Sequence, residues 1–273
     1  MEKQPDYKIF SSLRSDKSLS EGGPQNQDVT SNASPLYMLI YHRERLLQAA
    51  QHFQWPNCIA KIQGDQGTLW LQEQMRNADS IIGKEACCRI RVTLDMHGNI
   101  EVEAMPTPRL NRLNLFPTRE VLDSHLRTTE DKASADLGII WNVFLDTEAT
   151  PKSAFTLYKT TSRDMYTTAR NRVHIASLAS PEEVLMYNLD GEITEASLTS
   201  VYVFRHGQWV TPGSQCGGQL GVTRRWALDQ CICVEGIVRT TDLVEGENMW
   251  LSNGVRGFIR ACLLYTSPSP RDS

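Results

Sequence analysis

The sequence lacks any apolar run long enough to cross a membrane. Its longest apolar stretch covers about residues 138–145, whereas a membrane-spanning helix needs roughly 20 apolar residues. The first residues, Met1–Lys8, also lack the apolar segment of a secretory signal peptide. These absences predict a cytoplasmic protein that does not bind membranes.

An excess of basic residues is missing as well. The 273 residues include 28 lysines and arginines against 32 aspartates and glutamates, so the formal net charge is −4. A chain with this balance lacks the positive charge that binds the phosphates of nucleic acids, and we expect no nucleic-acid partner. Hydrophobic residues make up 40% of the chain and charged residues 22%, which is typical of a globular protein with one large or two medium domains.

Cysteine pairs with the spacing of a metal site are absent too. An odd number of cysteines without an export signal favours reduced thiols over disulfides. Cys231 and Cys233 are close in sequence, but no second pair follows at a zinc-like spacing, so we predict no metal site. The seven cysteines are Cys58, Cys87, Cys88, Cys216, Cys231, Cys233 and Cys262.

Three segments of the second half of the chain carry candidate chemistry. Lys159 lies in Phe155–Arg163, at the end of a predicted strand, and Glu195 lies further along the chain. Gly221–Thr223 then opens a predicted helix, and the free backbone N–H groups at a helix start bind anions. The chain therefore offers an amine, a carboxylate and an anion site in that order.

Pyridoxal phosphate requires these three groups. A lysine binds its aldehyde covalently, an acidic residue keeps its ring nitrogen protonated, and donors hold its phosphate. Each segment is a weak signal by itself, because a lysine in an apolar strand is usually solvent-exposed and Glu195 could be a helix cap. Their order along one chain predicts a pyridoxal phosphate site.

The order of the segments resembles that of the fold-type IV pyridoxal phosphate enzymes. This family includes branched-chain aminotransferases, D-amino acid aminotransferases and aminodeoxychorismate lyases. The stretch Tyr37–Leu46 is similar to the family's early strand and His-x-x-Arg-Leu helix start, with His42 and Arg45 in the two named positions. The resemblance extends from about Phe10 to Ala261.

Further segments of the second half carry the same resemblance. Glu195–Val203 is similar to the family's Glu-x-Ser-x-x-Asn-Val-Phe segment, although Ser200 replaces the usual asparagine. Leu251–Gly257 is similar to a late loop that closes over the phosphate. The resemblance implies that Lys159 is the catalytic residue and that the cofactor-binding residues are Lys159, Glu195, Arg45, Val222, Thr223 and Asn253.

Within the family, the chain is most similar to the fungal-type aminodeoxychorismate lyases. The stretch Lys159–Tyr166, with the pattern Lys-Thr-Thr-x-Arg-x-x-Tyr, and the early Ser12-Leu-Arg14 carry this likeness. Arg163 and Arg14 are the candidate substrate-binding residues, since arginine binds carboxylates through two hydrogen bonds. A solvated or paired arginine remains the alternative for both. Tyr166 could donate to the cofactor, but filling the core is its default role.

The resemblance implies a lyase acting on a small amino substrate. It would release pyruvate and 4-aminobenzoate from 4-amino-4-deoxychorismate, a reaction of folate biosynthesis, and the protein would be a homodimer. Two alternatives remain open. One is an aminotransferase of the same fold acting on D- or branched-chain amino acids, and the other is a non-catalytic member of the fold.

The predicted fold class is α+β with two domains. We expect a small N-terminal α+β domain at 1–127, a polar linker at 128–137 and a larger, strand-rich domain at 138–261, with the cofactor between the domains. The last segment, 262–273, resembles the translation of a sequencing adapter, and we expect it to be foreign to the natural chain.

Apolar periodicity predicts the individual elements. Segment 15–34, rich in glycine, serine and asparagine, is predicted to be a long loop. Tyr7–Arg14, Leu36–Tyr41, Cys88–Leu94, Ile100–Met105, 139–145, 155–158, 184–188 and 201–205 are predicted strands. Predicted helices cover 42–53, 64–76, 162–175 and 224–234.

Overall fold

Four stretches of the chain are described by the computed structural model. For Glu21 and residues 77–82 it gives the backbone alone. The predicted linker at 128–137 lies outside the described residues except for Leu137, as do residues 22–33 of the predicted loop and residues 265–273 of the tail. The described stretches are residues 6–21, 34–82, 87–126 and 137–264.

The chain divides into two compact units. The first comprises Met1–Leu110, Tyr158–Ser162 and Gly254–Arg256, and the rest of the chain forms the second. In the first unit, the strands form one antiparallel sheet in chain order. Its elements are β1 (Ile9–Ser15), a 3-10 helix (Lys17–Glu21), α1 (Leu39–His52), α2 (Pro56–Ile62), α3 (Gly64–Ile82), β2 (Cys88–Leu94) and β3 (Ile100–Pro106).

Alternation along the strands gives the small sheet two different faces. One face packs on the helices in a core that includes Ile9, Leu13, Leu46, Leu71, Ile90, Val92 and Leu94. The residues between these positions point the other way. Pairing sets Ser12 opposite Arg91, and Arg14 opposite Arg89, on that second face.

The second unit is built on an eight-stranded sheet. Its strand order is β6-β5-β4-β11-β10-β7-β8-β9. The strands are β4 (Trp141–Leu145), β5 (Glu182–Tyr187), β6 (Ile193–Ala196), β7 (Ser200–Arg205), β8 (Gln208–Pro212), β9 (Val234–Gly236), β10 (Asn248–Asn253) and β11 (Gly257–Leu263). The helices are α4 (Arg112–Leu115), α5 (Arg119–Ser124), α6 (Ala154–Leu157), α7 (Asp164–Arg172) and α8 (Val222–Asp229), with 3-10 helices at Ser214–Cys216 and Thr240–Asp242.

Two apolar clusters form the core of the second unit. The larger includes Val143, Leu185, Val201, Leu251 and Ala261. The smaller places Tyr166, Ala169 and Val173 of the α7 segment against Val184 and Met186 of β5, so these three side chains face inward. A small sheet with helices and a larger strand-rich unit confirm the predicted fold class.

The predicted strand at Leu36–Tyr41 is wrong. Met38 adopts a left-handed conformation (φ 53°), and α1 begins directly after it at Leu39. Leu39, His42 and Leu46 are buried at a helical spacing, so their burial favours a helix over a strand. Helix α1 ends at His52, and Pro56 occupies the first turn of α2, where proline needs no N–H partner.

The predicted strand at 155–158 is also wrong, since α6 occupies Ala154–Leu157. The N–H of Ser153 donates to Thr156 Oγ1 at 3.0 Å, and the N–H of Thr156 donates to Ser153 Oγ at 3.2 Å. These reciprocal bonds satisfy N–H groups at the helix start and stabilise one helical turn over an extended chain. Lys159 therefore follows a short helix instead of ending a strand.

The predicted helix at 224–234 lies too far along the chain. Helix α8 covers Val222–Asp229, and Cys231 then adopts a left-handed conformation (φ 53°) that no longer fits a helix. The remaining predicted strands and helices are confirmed within a few residues at each end, except that the helix predicted at 64–76 continues to Ile82. Among the described residues, no helix is long and apolar enough to span a bilayer.

Candidate active site

Lys159 is fixed by backbone bonds to β1 in the first unit. Its carbonyl oxygen accepts a hydrogen bond from the N–H of Phe10 at 3.0 Å, and the N–H of Thr161 donates to the Lys8 carbonyl at 2.9 Å. The Lys159 Nζ lies 5.0 Å from the centroid of the Phe10 ring. The lysine predicted from the sequence thus occupies a defined position over an aromatic ring.

Arg45 belongs to a polar group formed with Ser11 and His42. Because α1 begins at Leu39, Arg45 lies in the second turn of the helix instead of the predicted first turn. Its Nη2 donates to Ser11 Oγ, which lies 2.6 Å from His42 Nδ1. Burial, and then the charges of Arg45 and Lys159, hold the pKa of His42 well below its usual value, so His42 is neutral.

The hydrogen bonds of Ser11 determine which ring nitrogen of His42 carries the proton. Since Ser11 Oγ accepts from Arg45, its own proton is available to His42 Nδ1, and the proton of the neutral ring then lies on Nε2. That buried nitrogen has no hydrogen-bond partner among the described residues. A Cβ at Gly254 would lie 2.6 Å from it, so only glycine leaves room for the ring.

The second face of the small sheet carries three arginines. Arg14 is fully buried, binds Asp16 at 2.9 Å and donates to the Pro108 carbonyl at 2.8 Å. Burial, and then the neighbouring Arg91, lower the pKa of Arg89, because like charges disfavour each other. Three buried atoms lack a hydrogen-bond partner in the part of the chain that the structure describes: Ser12 Oγ, Arg14 Nη1 and Arg91 Nε.

This face is chemically suited to an anion. The Arg91 guanidinium lies 4.4 Å from the centroid of the Phe10 ring, the same ring that contacts Lys159. Buried cations with unused donors are costly unless a negative group binds them. Sequence reasoning selected Arg14 but missed Ser12 and Arg91. The alternating Arg-x-Arg of β2, paired with Ser-x-Arg of β1, was the available signal.

In the second unit, Glu195 is a buried carboxylate held by two donors. It lies on β6 opposite Met186 of β5. The hydroxyl of Tyr166 donates to Glu195 Oε1 at 2.7 Å, and the backbone N–H of Gln219 donates to the same oxygen at 3.2 Å. Burial, and then the charge of Glu195, raise the pKa of Tyr166 well above its usual value, so the hydroxyl keeps its proton.

Arg163 contacts the same tyrosine. Its guanidinium lies 4.2 Å from the centroid of the Tyr166 ring, and its Nη2 donates to the Ser197 carbonyl at 2.7 Å. The buried Nη1 has no hydrogen-bond partner within the described stretches. Arg163 therefore links the start of α7 to the segment after Glu195, and its substrate role stays a prediction.

The start of α8 forms a second polar group in this unit. No side chain of the described residues caps this helix, and its N-cap, Gly221, is extended (φ −60°, ψ 141°). A Cβ at Gly221 would lie 2.2 Å from Ser200 Oγ, so a larger residue would displace the helix start. The N–H groups of Val222 and Thr223 lie in the first turn, which has no intrahelical acceptors for them.

A chain of hydroxyl groups fixes this helix start to β10. Thr223 Oγ1 lies 2.7 Å from Ser252 Oγ, which lies 2.8 Å from the hydroxyl of Tyr202. All three side chains are buried. Asn253, the last residue of β10, donates through Nδ2 to the Leu198 carbonyl at 3.4 Å. The structure thus brings Val222, Thr223 and the end of β10 together, as the predicted phosphate site requires.

The predicted site residues fall into two groups, one in each unit. Lys159, Arg45 and Arg14 belong to the first, and the other predicted residues belong to the second. Within the described residues, no three His, Cys, Asp or Glu side chains cluster in a way that could hold a metal ion.

The chain belongs to the class IV aminotransferase family, whose family model matches residues 29–264. An aminodeoxychorismate lyase of Saccharomyces cerevisiae is 30% identical over 204 residues, which are 69% of this chain and 54% of that protein. The match therefore spans about half the length of the yeast relative. A Schizosaccharomyces pombe protein provisionally named aminodeoxychorismate lyase is 25% identical over 234 residues, covering 84% of this chain and 85% of its own.

Solved structures share the fold. A Mesorhizobium loti protein provisionally named amino-acid aminotransferase superposes with a TM-score of 0.63 at 24% identity. The superposition covers 95% of this chain and 100% of that one. The chain therefore has the two-domain fold of class IV aminotransferases.

Proposed function

We propose that this chain is a pyridoxal phosphate-dependent 4-amino-4-deoxychorismate lyase, which forms 4-aminobenzoate and pyruvate. The family and the named yeast relatives support a pyridoxal phosphate enzyme and this branch of it. The observation that carries the proposal is the second face of the small sheet. Arg91 and Lys159 lie over the Phe10 ring there, and Arg14 lies on the same strand as Phe10. An amine beside several cations suits an amino substrate with more than one carboxylate.

The residues present fit the cofactor. Gly221 leaves the start of α8 uncapped among the described side chains, and the buried Glu195 has a fixed orientation. Lys159 would bind the cofactor covalently, Glu195 its ring nitrogen, and Arg45 its phosphate, together with the backbone of Val222, Thr223 and Asn253. When bound, pyridoxal phosphate supplies an electron sink for the charge that develops on the substrate.

The protein residues supply the proton transfers and the orientation. Lys159 Nζ accepts the proton lost from the substrate and can return one to the departing enolpyruvyl group, which leaves as pyruvate. Arg14 and Arg91, with Ser12 Oγ between them on the sheet face, bind the substrate carboxylates. Aromatisation of the ring drives the elimination, so no second amino acceptor is needed.

A product assay tests the proposal. The full chain, loaded with pyridoxal phosphate, is given 4-amino-4-deoxychorismate without any oxo acid, and pyruvate and 4-aminobenzoate are both quantified. Equal amounts of the two products, absent with Lys159→Ala, are the expected result. Absence of both products, together with amino-group transfer from a D- or branched-chain amino acid to an added oxo acid, would indicate the alternative aminotransferase.

A spectrum of the loaded protein separates the remaining alternative. A non-catalytic member of the fold would show no visible absorbance from covalently bound cofactor. The aminotransferase alternative fits the family to which the chain belongs, and the same spectrum would show its amino-donor-dependent conversion to the pyridoxamine form.

A further inference from the structure

Tyr166 does more than fill the core of the second unit. Its ring lies in the cluster with Ala169, Val173 and Val184, which accounts for its burial. Its hydroxyl, however, lies between groups of two other segments, because it donates to Glu195 at 2.7 Å and accepts from Gln219 Nε2 at 3.0 Å. A phenylalanine would fill the same volume without these bonds.

The two donors restrict the rotation of the Glu195 carboxylate. Tyr166 and the backbone N–H of Gln219 approach the same oxygen, Oε1. A carboxylate held through one oxygen by two donors from different segments cannot turn without breaking both bonds. The remaining lone pairs of the Glu195 carboxylate therefore point in a fixed direction relative to the rest of the second unit.

The surroundings hold the tyrosine in turn. Arg163 lies over its ring and binds the Ser197 carbonyl. Gly218, which precedes Gln219, also needs to be glycine, because a Cβ there would lie 2.4 Å from the Thr194 carbonyl oxygen. The backbone around Gln219 thus lies close to β6, which places the N–H of Gln219 within hydrogen-bond distance of Glu195.

We propose that Tyr166 is a positioning residue that orients the Glu195 carboxylate toward the ring nitrogen of the cofactor. The inference rests on the proposed cofactor role of Glu195. Tyr166 touches neither cofactor nor substrate in this view and acts through Glu195. Removal of the Tyr166 hydroxyl should make protonation of the cofactor's ring nitrogen less favourable while leaving substrate binding unchanged.

A double-mutant cycle tests this assignment. Tyr166→Phe should lower turnover roughly tenfold, the size expected for losing one hydrogen bond to a charged group, and should change KM by less than about twofold. In a Glu195→Gln background the same change should cost less than about twofold, because residues that act through one another are not additive. Additive losses would show that Tyr166 acts independently of Glu195.

A spectroscopic readout separates positioning from packing. With ¹⁵N-labelled pyridoxal phosphate, the ring-nitrogen resonance of the loaded Tyr166→Phe protein should shift toward the unprotonated form. Val173→Ala, at the C-cap of the same helix and in the same apolar cluster, is the matched control, which should lower stability without moving the resonance. An unmoved resonance in Tyr166→Phe would overturn the inference.

Failure of the inference and failure of the proposed function give different results. If borohydride fails to fix the cofactor on Lys159, the proposed function fails. If Lys159 is labelled but the Tyr166→Phe resonance is unchanged, only the positioning role fails. Should Tyr166→Phe not fold, Gln219→Met removes the side-chain bond to the tyrosine hydroxyl, and a shift in the same direction is expected. An unmoved resonance in that variant would equally overturn the inference.

Discussion

The backbone of Lys159 is bonded to that of Phe10, and the lysine amine lies over the phenylalanine ring. The N–H of Phe10 donates to the Lys159 carbonyl at 3.0 Å, and Nζ lies 5.0 Å from the ring centroid. The strand that carries Ser12 and Arg14 on the second sheet face thus also fixes the amine. Any shift of β1 would move both parts together.

Replacement of Lys159 by alanine should abolish turnover almost completely. We expect a loss of at least about a thousandfold, because the variant lacks both the covalent attachment and the proton-transferring amine. Borohydride reduction of the wild-type protein, followed by peptide mapping, should locate the pyridoxyl label on Lys159. A label on Lys152, an exposed lysine of the second unit, would refute the assignment.

Glu195→Gln should separate cofactor binding from turnover. A glutamine keeps the size of the side chain but cannot stabilise a protonated ring nitrogen by its charge, so turnover should fall far more than cofactor affinity. Affinity is measured by equilibrium dialysis and turnover by pyruvate release. Wild-type turnover would exclude the proposed role.

Arg45→Ala should weaken cofactor binding. Loss of one charge-assisted contact with the phosphate costs about 1.5–3 kcal/mol, which corresponds to a roughly tenfold to hundredfold loss of affinity. Equilibrium dialysis gives this value directly. Arg76→Ala, which removes an exposed arginine paired with Glu73, is the control that should bind normally. Equal affinity in both variants would place the phosphate elsewhere.

Arg91→Ala should affect the substrate and spare the cofactor. We expect KM for 4-amino-4-deoxychorismate to rise roughly tenfold to hundredfold, in line with a lost arginine–carboxylate contact. Arg91→Lys keeps the charge but loses the two-pronged geometry, so it should restore only part of the affinity. A changed cofactor affinity with an unchanged KM would contradict the carboxylate role.

His42 should make folding stability depend on pH. Burial and nearby cations hold its pKa well below the usual 6.5, so the unfolded chain binds a proton that the folded one does not. The free energy of unfolding should therefore fall as pH drops below about 6.5, by at most about 1.4 kcal/mol per pH unit from this group. Urea unfolding between about pH 7 and pH 5 should show a smaller slope for His42→Gln. Equal slopes would mean that His42 is protonated in the folded state.

The sequence points to candidate side chains more readily than it predicts the local structure around them. Lys159 and Glu195 stand out by residue type and order. The segment before Lys159 nevertheless looks like a strand, because its apolar residues match strand and helix equally well, and the Ser153 and Thr156 bonds decide for a helix. Side-chain bonds of this kind outweigh a short apolar pattern.

Contacts between residues that are far apart in sequence were beyond sequence reasoning. Ser12 faces Arg91 only because β1 and β2 pair in one register, although the two residues lie 79 positions apart in the sequence. Tyr166 likewise meets Glu195 across 29 positions. Charge and spacing along the chain contain neither relationship, since both depend on how separate elements pair.

Core residues and arginines alternate along β2. The register of this strand therefore determines both the packing of the apolar core and the position of the arginines on the second face. Ile90 and Val92 belong to the helix-facing core, while Arg89 and Arg91 face the other way. A slip of one residue would drive both guanidinium groups into the apolar core. The turn after β2 stabilises the native register, because Asp95 accepts hydrogen bonds from the N–H groups of His97 and Asn99 at 2.9 Å each. A hairpin in the slipped register would therefore be less stable than the native hairpin.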